Sequence, residues 1–313
     1  HSCGHSYHYA QKTAYEQILR GLNLSRKIKY TVSAGQDGIK ILTFLKKEKG
    51  YSQRLITKLK KEDDGILLNG EHARSIDFVH TGDILEINFP EDREEGISVS
   101  LEMPLDILYE DEDIIVINKP APLAVHESHN HLGDALSNAL SYHLKQEGKQ
   151  SVFRAVGRLD KGTSGIMVCA LNRYAASKLS GKIGKVYLAV ASGVFTGSGT
   201  VDSPIYRPDP ILTLRTVDPR GEKAVTHWTA LKNNGICTLL EIRLETGRTH
   251  QIRVHFASLG APLVGDTMYG KSDPRISHQA LHCYKCSFIH PVTEKKMKFT
   301  AEPPEDFRAV MPK

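Results

Sequence analysis

Three residues in this chain are of a type and setting suited to chemistry: an aspartate in a turn, a tyrosine on an apolar strand, and an arginine in a histidine-flanked segment. Ala155 to Gly165 reads Ala-Val-Gly-Arg-Leu-Asp-Lys-Gly-Thr-Ser-Gly and runs directly into apolar Ile166–Ala170. Asp160 is therefore expected in a turn-rich loop at a sheet edge. A carboxylate there can act as nucleophile or general base, and Arg158 beside it can ion-pair or reach a phosphate. An Asp among Gly, Thr and Ser can equally do no more than bond its own turn. In Lys185-Val186-Tyr187-Leu188-Ala189-Val190, alternation puts Val186, Leu188 and Val190 on one face and Lys185 and Tyr187 on the other. Tyr187 can stack on a nucleobase, or simply pack under a loop. Arg253 lies in Thr246-Gly247-Arg248-Thr249-His250-Gln251-Ile252-Arg253-Val254-His255. Thr249 is expected to cap a helix that carries Ile252, Phe256 and Leu259 on one stripe and ends at Gly260, with Arg253 off that stripe. A buried arginine needs an acidic partner, and spacing does not choose among Asp160, Asp266 and Glu245.

These side chains need a scaffold, and the pattern supplies strands at 107–109, 114–117, 166–170, 186–190, 239–244 and 283–289. Pro120 stops the second of them. Leu132, Leu136, Leu140 and Leu144 predict one helix. Few helices among many strands imply an α+β domain with a mixed, mostly antiparallel sheet. Ahead of it, Ile41, Leu42, Leu45 and then Leu55, Ile56, Leu59 predict two short helices around Gly50-Tyr51-Ser52, with Ser52 as a cap. Asn69-Gly70 predicts a hairpin and Ile84–Phe89 a strand, so this part reads as helices first, then a short sheet.

Between Lys40 and Lys61, eight basic residues, including Lys46, Lys47, Arg54 and Lys58, face the single acid Glu48. The cluster is either a solvated surface or a face that neutralises phosphates. The chain has 313 residues, room for about two domains. Lys plus Arg number 41 and Asp plus Glu 36, a balance that permits a polyanionic partner without requiring one. No apolar run approaches the roughly 18 residues of a membrane span. Five sparse cysteines fit reduced thiols, so the cytoplasm is the expected location. The expected organisation is a tail over 1–27, a small α+β domain over 28–92, a linker over 93–104 and the large domain over 105–313.

Residues 35–90, from the helix through the Gly-Tyr-Ser turn and the Asn-Gly hairpin to Gly82-Asp83-Ile84-Leu85-Glu86-Ile87, resemble the S-four RNA-binding domain, which implies structured RNA as partner. Residues 105–298 resemble pseudouridine synthases of the RluA/RluD type. The resemblance rests on Gly157-Arg158-Leu159-Asp160 with Thr163-Ser164-Gly165, on Lys185-Val186-Tyr187, and on Thr246 to His255 through Gly265-Asp266 and Tyr269-Gly270. Leu281-His282, Phe288 and His290-Pro291 match the closing strand. The resemblance implies isomerisation of uridine to pseudouridine in RNA, ribosomal RNA above transfer RNA, without cofactor or metal. It makes Asp160 the nucleophile, Tyr187 the residue stacking on the base and Arg253 the partner of Asp160, with Arg158 entering the space of the flipped uridine. Lys185, Arg248, His250 and the basic set Lys46, Lys47, Arg54 and Lys58 are expected to contact RNA, and the protein is expected to be a monomer. Many relatives have His at the position of Gly157 and an acid at that of Gly162.

Two other readings compete: a noncatalytic RNA-binding factor on the same fold, and a metal-dependent hydrolase using Asp160 with Asp266. Cys283 and Cys286 have metal-like spacing, but three residues along a regular strand put the thiols on opposite faces. His250 and His255, five apart, turn away from each other on a helix, and His126 and His131 are read as surface histidines.

Overall fold

The computed structural model describes residues 27–89, 100–127, 132–149 and 153–313. The tail before Lys27, residues 93–99 of the expected linker and His131 lie outside the described residues. The chain forms two compact units, within residues 1–93 and 94–313.

The first unit runs β1 (Lys27–Thr31), β2 (Ile39–Lys40), α1 (Ile41–Thr43, widening into a π-helical turn over Phe44–Glu48), α2 (Gln53–Leu59), β3 (Ile66–Leu68), β4 (Glu71–His72), β5 (Phe78–Val79) and β6 (Ile84–Asn88). The helices do form around a left-handed Gly50, and Ser52 Oγ accepts the Leu55 N–H at 3.2 Å. Asn69 and Gly70 take the left-handed values that a two-residue hairpin needs. The helices do not come first, however. Lys27–Thr31, with its alternately exposed and half-buried residues, is a strand paired with β6, so the sheet order is β1-β6-β3-β4.

The second unit is built on one ten-stranded sheet. Its elements are β7 (Ile107–Glu110), β8 (Ile114–Lys119), α3 (Leu136–Gln146), β9 (Arg154–Val156), β10 (Ser164–Ala170), α4 (Arg173–Leu179), β11 (Gly184–Ser192), β12 (Ser198–Asp202), the small hairpin β13 (Ile205–Tyr206) and β14 (Thr216–Val217), β15 (Val225–Asn233), β16 (Cys237–Leu244), α5 (Gln251–Ser258), β17 (Leu281–Ile289), β18 (Lys296–Thr300) and α6 (Glu305–Val310). The order is β12-β15-β16-β11-β17-β10-β8-β7, with β18 added to β17 and β9 to β10. Among the described residues only β10 and β17 run parallel. The class is thus α+β with a mixed, mostly antiparallel sheet.

Both faces of the sheet are covered at its centre. Tyr187, Ala189 and Ala191 of β11 belong to the large core, with Leu136, Leu140 and Leu144 of α3, while Leu188 and Val190 pack in a second cluster with Phe307 and Val310 of α6. The alternation of β11 holds, but neither of its faces is open. Gly165 sits where β10 meets β17; a Cβ there would stand 2.4 Å from the Cys283 carbonyl oxygen, and φ is +104°. Only glycine allows that approach.

Three further expectations need correction. α3 starts at Leu136, not Leu132, because Asn138 Oδ1 accepts the Ala135 N–H and closes the first turn there; Leu132 is exposed. α5 is preceded by His250 in a left-handed conformation rather than capped by Thr249, and Leu259 is half exposed at its end. Cys283 and Cys286 share one core, because β17 bulges: Tyr187 pairs with Cys283 and Val186 with Lys285, leaving Tyr284 unpaired against β11.

Candidate active site

Asp160 occupies the loop that feeds β10, at the parallel junction in the middle of the sheet. Four buried or bridging contacts immobilise that loop. The Lys119 ammonium, at the end of β8 and 1% exposed, donates to the carbonyls of Pro120, Leu123 and Lys161 at 2.9, 2.9 and 3.2 Å. The Leu123 N–H also reaches the Lys161 carbonyl. Lys185 Nζ donates to the Gly157 carbonyl at 2.5 Å, and Gln279 Nε2 to Thr163 Oγ1 at 3.1 Å. Gly162 leaves the room that Gln279 uses, since a Cβ there would meet Gln279 Oε1 at 2.4 Å. Burial pushes Lys119 down to about 7, opposed by the nearby Asp160 carboxylate.

Asp160 faces an open cleft of about 100 Å³ walled by Tyr187, Arg158, Arg248, His250 and Arg253, with Leu244, Ile252 and Leu281 as apolar surface. Arg253 Nη1 stands 3.6 Å from Asp160 Oδ2, and His250 Nε2 4.0 Å from the same oxygen. The stronger partner of Arg253 is Asp266: Nε and Nη2 donate to its two oxygens at 2.7 and 2.8 Å in a fully buried fork. Of the three acids that spacing left open, Asp266 thus anchors Arg253 and Asp160 receives its remaining edge. Glu245 pairs with His227 instead. Asp266 Oδ1 also accepts the backbone N–H groups of Met268 and Tyr269, and the Tyr269 ring stacks on the guanidinium at 4.9 Å.

The segment before α5 is held by Gln251, which is buried. Its Oε1 accepts from Thr246 Oγ1 and the Arg248 N–H, and its Nε2 donates to the Val225 carbonyl and Thr226 Oγ1. This wiring, rather than a Thr249 cap, fixes the strand-to-helix turn. Arg248 ion-pairs with Glu222 at the cleft edge. Arg158 is exposed and has no ion-pair partner among the described residues. Burial, with Cys283, Asp160 and Cys286 adding to it, pushes the Tyr187 phenol well above its ordinary value, so it stays neutral.

Of the expected site residues, Asp160, Tyr187, Arg253, Arg158, Arg248 and His250 come together around this cleft. Lys185 reaches the loop backbone, where it supports Gly157, and is not among the cleft walls. Lys46, Lys47, Arg54 and Lys58 belong to the first unit. Lys119, Gln251, Gln279 and Tyr269 were not picked out by residue chemistry. The signal for Lys119 was a lysine closing an otherwise apolar strand.

The described residues hold one cluster with metal-compatible spacing, Asp111, Asp113 and His290. Asp111 accepts from the Asp113 and Ile114 N–H groups, the Tyr109 hydroxyl and His290 Nε2, and His290 Nδ1 accepts two backbone N–H groups, so these donors and acceptors are already engaged. Asp266, spent on Arg253, is likewise unsuited to the two-carboxylate hydrolase.

The RNA pseudouridylate synthase family matches residues 113–258. An RNA pseudouridine synthase of Bacillus subtilis described as uncharacterized, YjbO, is 43% identical over 266 residues, 83% of this chain and 94% of that protein. Ribosomal large subunit pseudouridine synthase D of Haemophilus influenzae is 43% identical over 225 residues, 66% of this chain and 69% of that protein. The solved human RNA pseudouridylate synthase domain containing 1 shares the fold, with a TM-score of 0.53 at 24% identity over 68% of this chain and 87% of that one. The chain belongs to the RNA pseudouridine synthases. Within that family it is of the RluA/RluD type, an enzyme that isomerises uridine in RNA.

Proposed function

We propose that the cleft is the uridine site and that Asp160 is its nucleophile. The reaction breaks the N1–C1′ bond, forms C5–C1′, and exchanges a proton at C5 for one at N1, so it is redox-neutral and needs a positioned nucleophile more than a cofactor. Asp160 attacks the sugar or an adjacent centre of an everted nucleotide. Tyr187 stacks on the base, Arg253 orients the carboxylate, and Arg158, Arg248 and His250 contact the RNA around it. The observation that carries this reading is the Asp160 carboxylate, half-buried and 3.6 Å from a guanidinium already fixed by Asp266, in one cleft with the neutral Tyr187 ring.

Residues 28–92 act as an S-four-like RNA grip. Its support is that Lys46, Lys47 and Arg54 are exposed and that none of these, nor Lys58, has an ion-pair partner among the described residues. Ribosomal RNA is the substrate, a choice supported by relatives named ribosomal large subunit pseudouridine synthase D. The protein acts as a cytoplasmic monomer; no helix among the described residues is long and apolar enough to cross a membrane.

The test is to incubate the full chain with unmodified total RNA and map pseudouridine by carbodiimide adducts and primer extension, with Asp160→Ala as control. New stops in ribosomal RNA, absent with Asp160→Ala, are expected. Stops in transfer RNA alone would replace the substrate. No stops in any RNA, with binding intact, would favour the noncatalytic factor.

A further inference from the structure

The imidazole of His250 is connected to the β13–β14 hairpin through one hydroxyl. The backbone N–H of Arg215 donates to Tyr269 Oη at 3.0 Å, and Tyr269 Oη lies 2.9 Å from His250 Nδ1. The Arg215 N–H is an obligate donor, so the oxygen accepts there. Among the described residues the hydroxyl proton has one acceptor in reach, His250 Nδ1. With the hydroxyl proton in that bond the nitrogen carries none, and the proton of the neutral ring sits on Nε2. Nε2 is the atom on the Asp160 side, 4.0 Å from Oδ2, too far for a hydrogen bond to the carboxylate itself. The left-handed backbone of His250, φ 58° and ψ 18°, is what turns the ring out of α5 and into the cleft.

We propose that Tyr269 is a positioning residue that fixes His250 as its Nε2–H tautomer, so that this N–H donates to a uracil or ribose oxygen seated beside Asp160. The proposal rests on the cleft being the uridine site. The net effect of the surroundings favours a neutral imidazole: burial lowers its pKa most, Asp160 and Asp266 oppose this, and Arg253 and Arg215 lower it further. Tyr269 is itself held, by its N–H on Asp266, by its edge-to-face contact with the His250 ring at 5.7 Å, and by the stacked Arg253. The relay therefore also reports the position of the 207–215 loop to the reacting centre, since Arg215 is the residue at the end of that loop.

The experiment has two arms. In the first, the full chain carries 15N-histidine, and long-range proton–nitrogen spectra are taken near pH 7.5 without RNA, with the His250 signals identified by their loss in His250→Gln. A single Nε2–H form is expected in the wild type, and a mixture in Tyr269→Phe. A wild-type ring protonated on Nδ1 overturns the proposal, and this holds even if Tyr269→Phe does not fold. In the second arm, Tyr269→Phe lowers kcat about tenfold, the loss of roughly one oriented hydrogen bond, with KM for RNA little changed. His250→Gln keeps a donor at the Nε2 position and has no tautomer to fix, so adding Tyr269→Phe to it changes kcat less than twofold. An equal loss in both backgrounds would mean that the hydroxyl only props the loop, and would overturn the proposal. Wild-type protein with the expected tautomer but no turnover on any RNA would fault the uridine reading and leave the relay standing.

Discussion

Around Asp160 the charged side chains of Arg253 and Lys119 are each gripped from two or more directions, whereas Lys46, Lys47 and Arg54 on the helices of the first unit stand in solvent. Arg253 is forked by Asp266, stacked by Tyr269 and turned towards Asp160; Lys119 has three carbonyl acceptors and almost no exposure. Lys46, Lys47 and Arg54 are exposed and lack ion-pair partners among the described residues. The contrast follows from what each region has to do. A carboxylate that must meet one atom needs a fixed direction in a partly dry site, where a buried pair is expensive to break, about 3–5 kcal/mol. A surface that follows a phosphate backbone needs charge in the right region and little more, and each such contact is weak and screened beyond about 8 Å.

The comparison breaks most visibly at Arg253. Arg253→Met strands the buried Asp266 carboxylate and frees Asp160, so turnover is expected to fall by at least about a hundredfold and stability in urea by about 3–5 kcal/mol. A variant that loses neither would mean that the fork is ornamental. Next comes Lys119→Met, which releases the Lys161 carbonyl beside Asp160: about a tenfold loss in kcat with KM unchanged, read in single-turnover assays.

Replacing Lys46, Lys47 and Arg54 together with Gln should instead weaken RNA binding several-fold. It should also flatten the slope of log affinity against log salt by about two to three, roughly one for each phosphate contact removed. An unchanged slope would take the first unit out of the RNA contact. A further effect is in pH. Burial holds Lys119 near 7 in the fold against an ordinary 10.5. Between those values the unfolded chain binds more protons, so wild-type stability should rise with pH relative to Lys119→Met, by at most about 1.4 kcal/mol per unit, and show no such trend below 7.

Features set by neighbours in the chain are legible in the sequence. Ser52 caps its helix and Asn69-Gly70 turns its hairpin because those conformations depend on two to four adjacent residues. The α+β class and the alternation of β11 followed from periodicity. What escaped depends on distant partners. Whether Arg253 faces Asp160 or Asp266 is decided by the loop over Gly265–Gly270, and the shared face of Cys283 and Cys286 by a bulge that spacing does not announce. With the cap expected at Thr249, His250 reads as the first residue of the helix; its left-handed backbone becomes understandable only once Gln251 is seen holding the turn from inside. Lys119 looked like the polar end of a strand, and its burial under the Asp160 loop is a tertiary fact.

The central claim is that the Asp160 carboxylate performs the chemistry while the rest of the molecule presents RNA to it. Its most direct test uses ribosomal RNA transcripts labelled with tritium at uracil C5, because forming the C5–C1′ bond expels that hydrogen. Wild-type protein should release tritium in step with pseudouridine, and Asp160→Asn, binding the same RNA within about threefold of wild type, should release at least about a thousandfold more slowly. Release by Asp160→Asn at a rate near wild type would contradict the account.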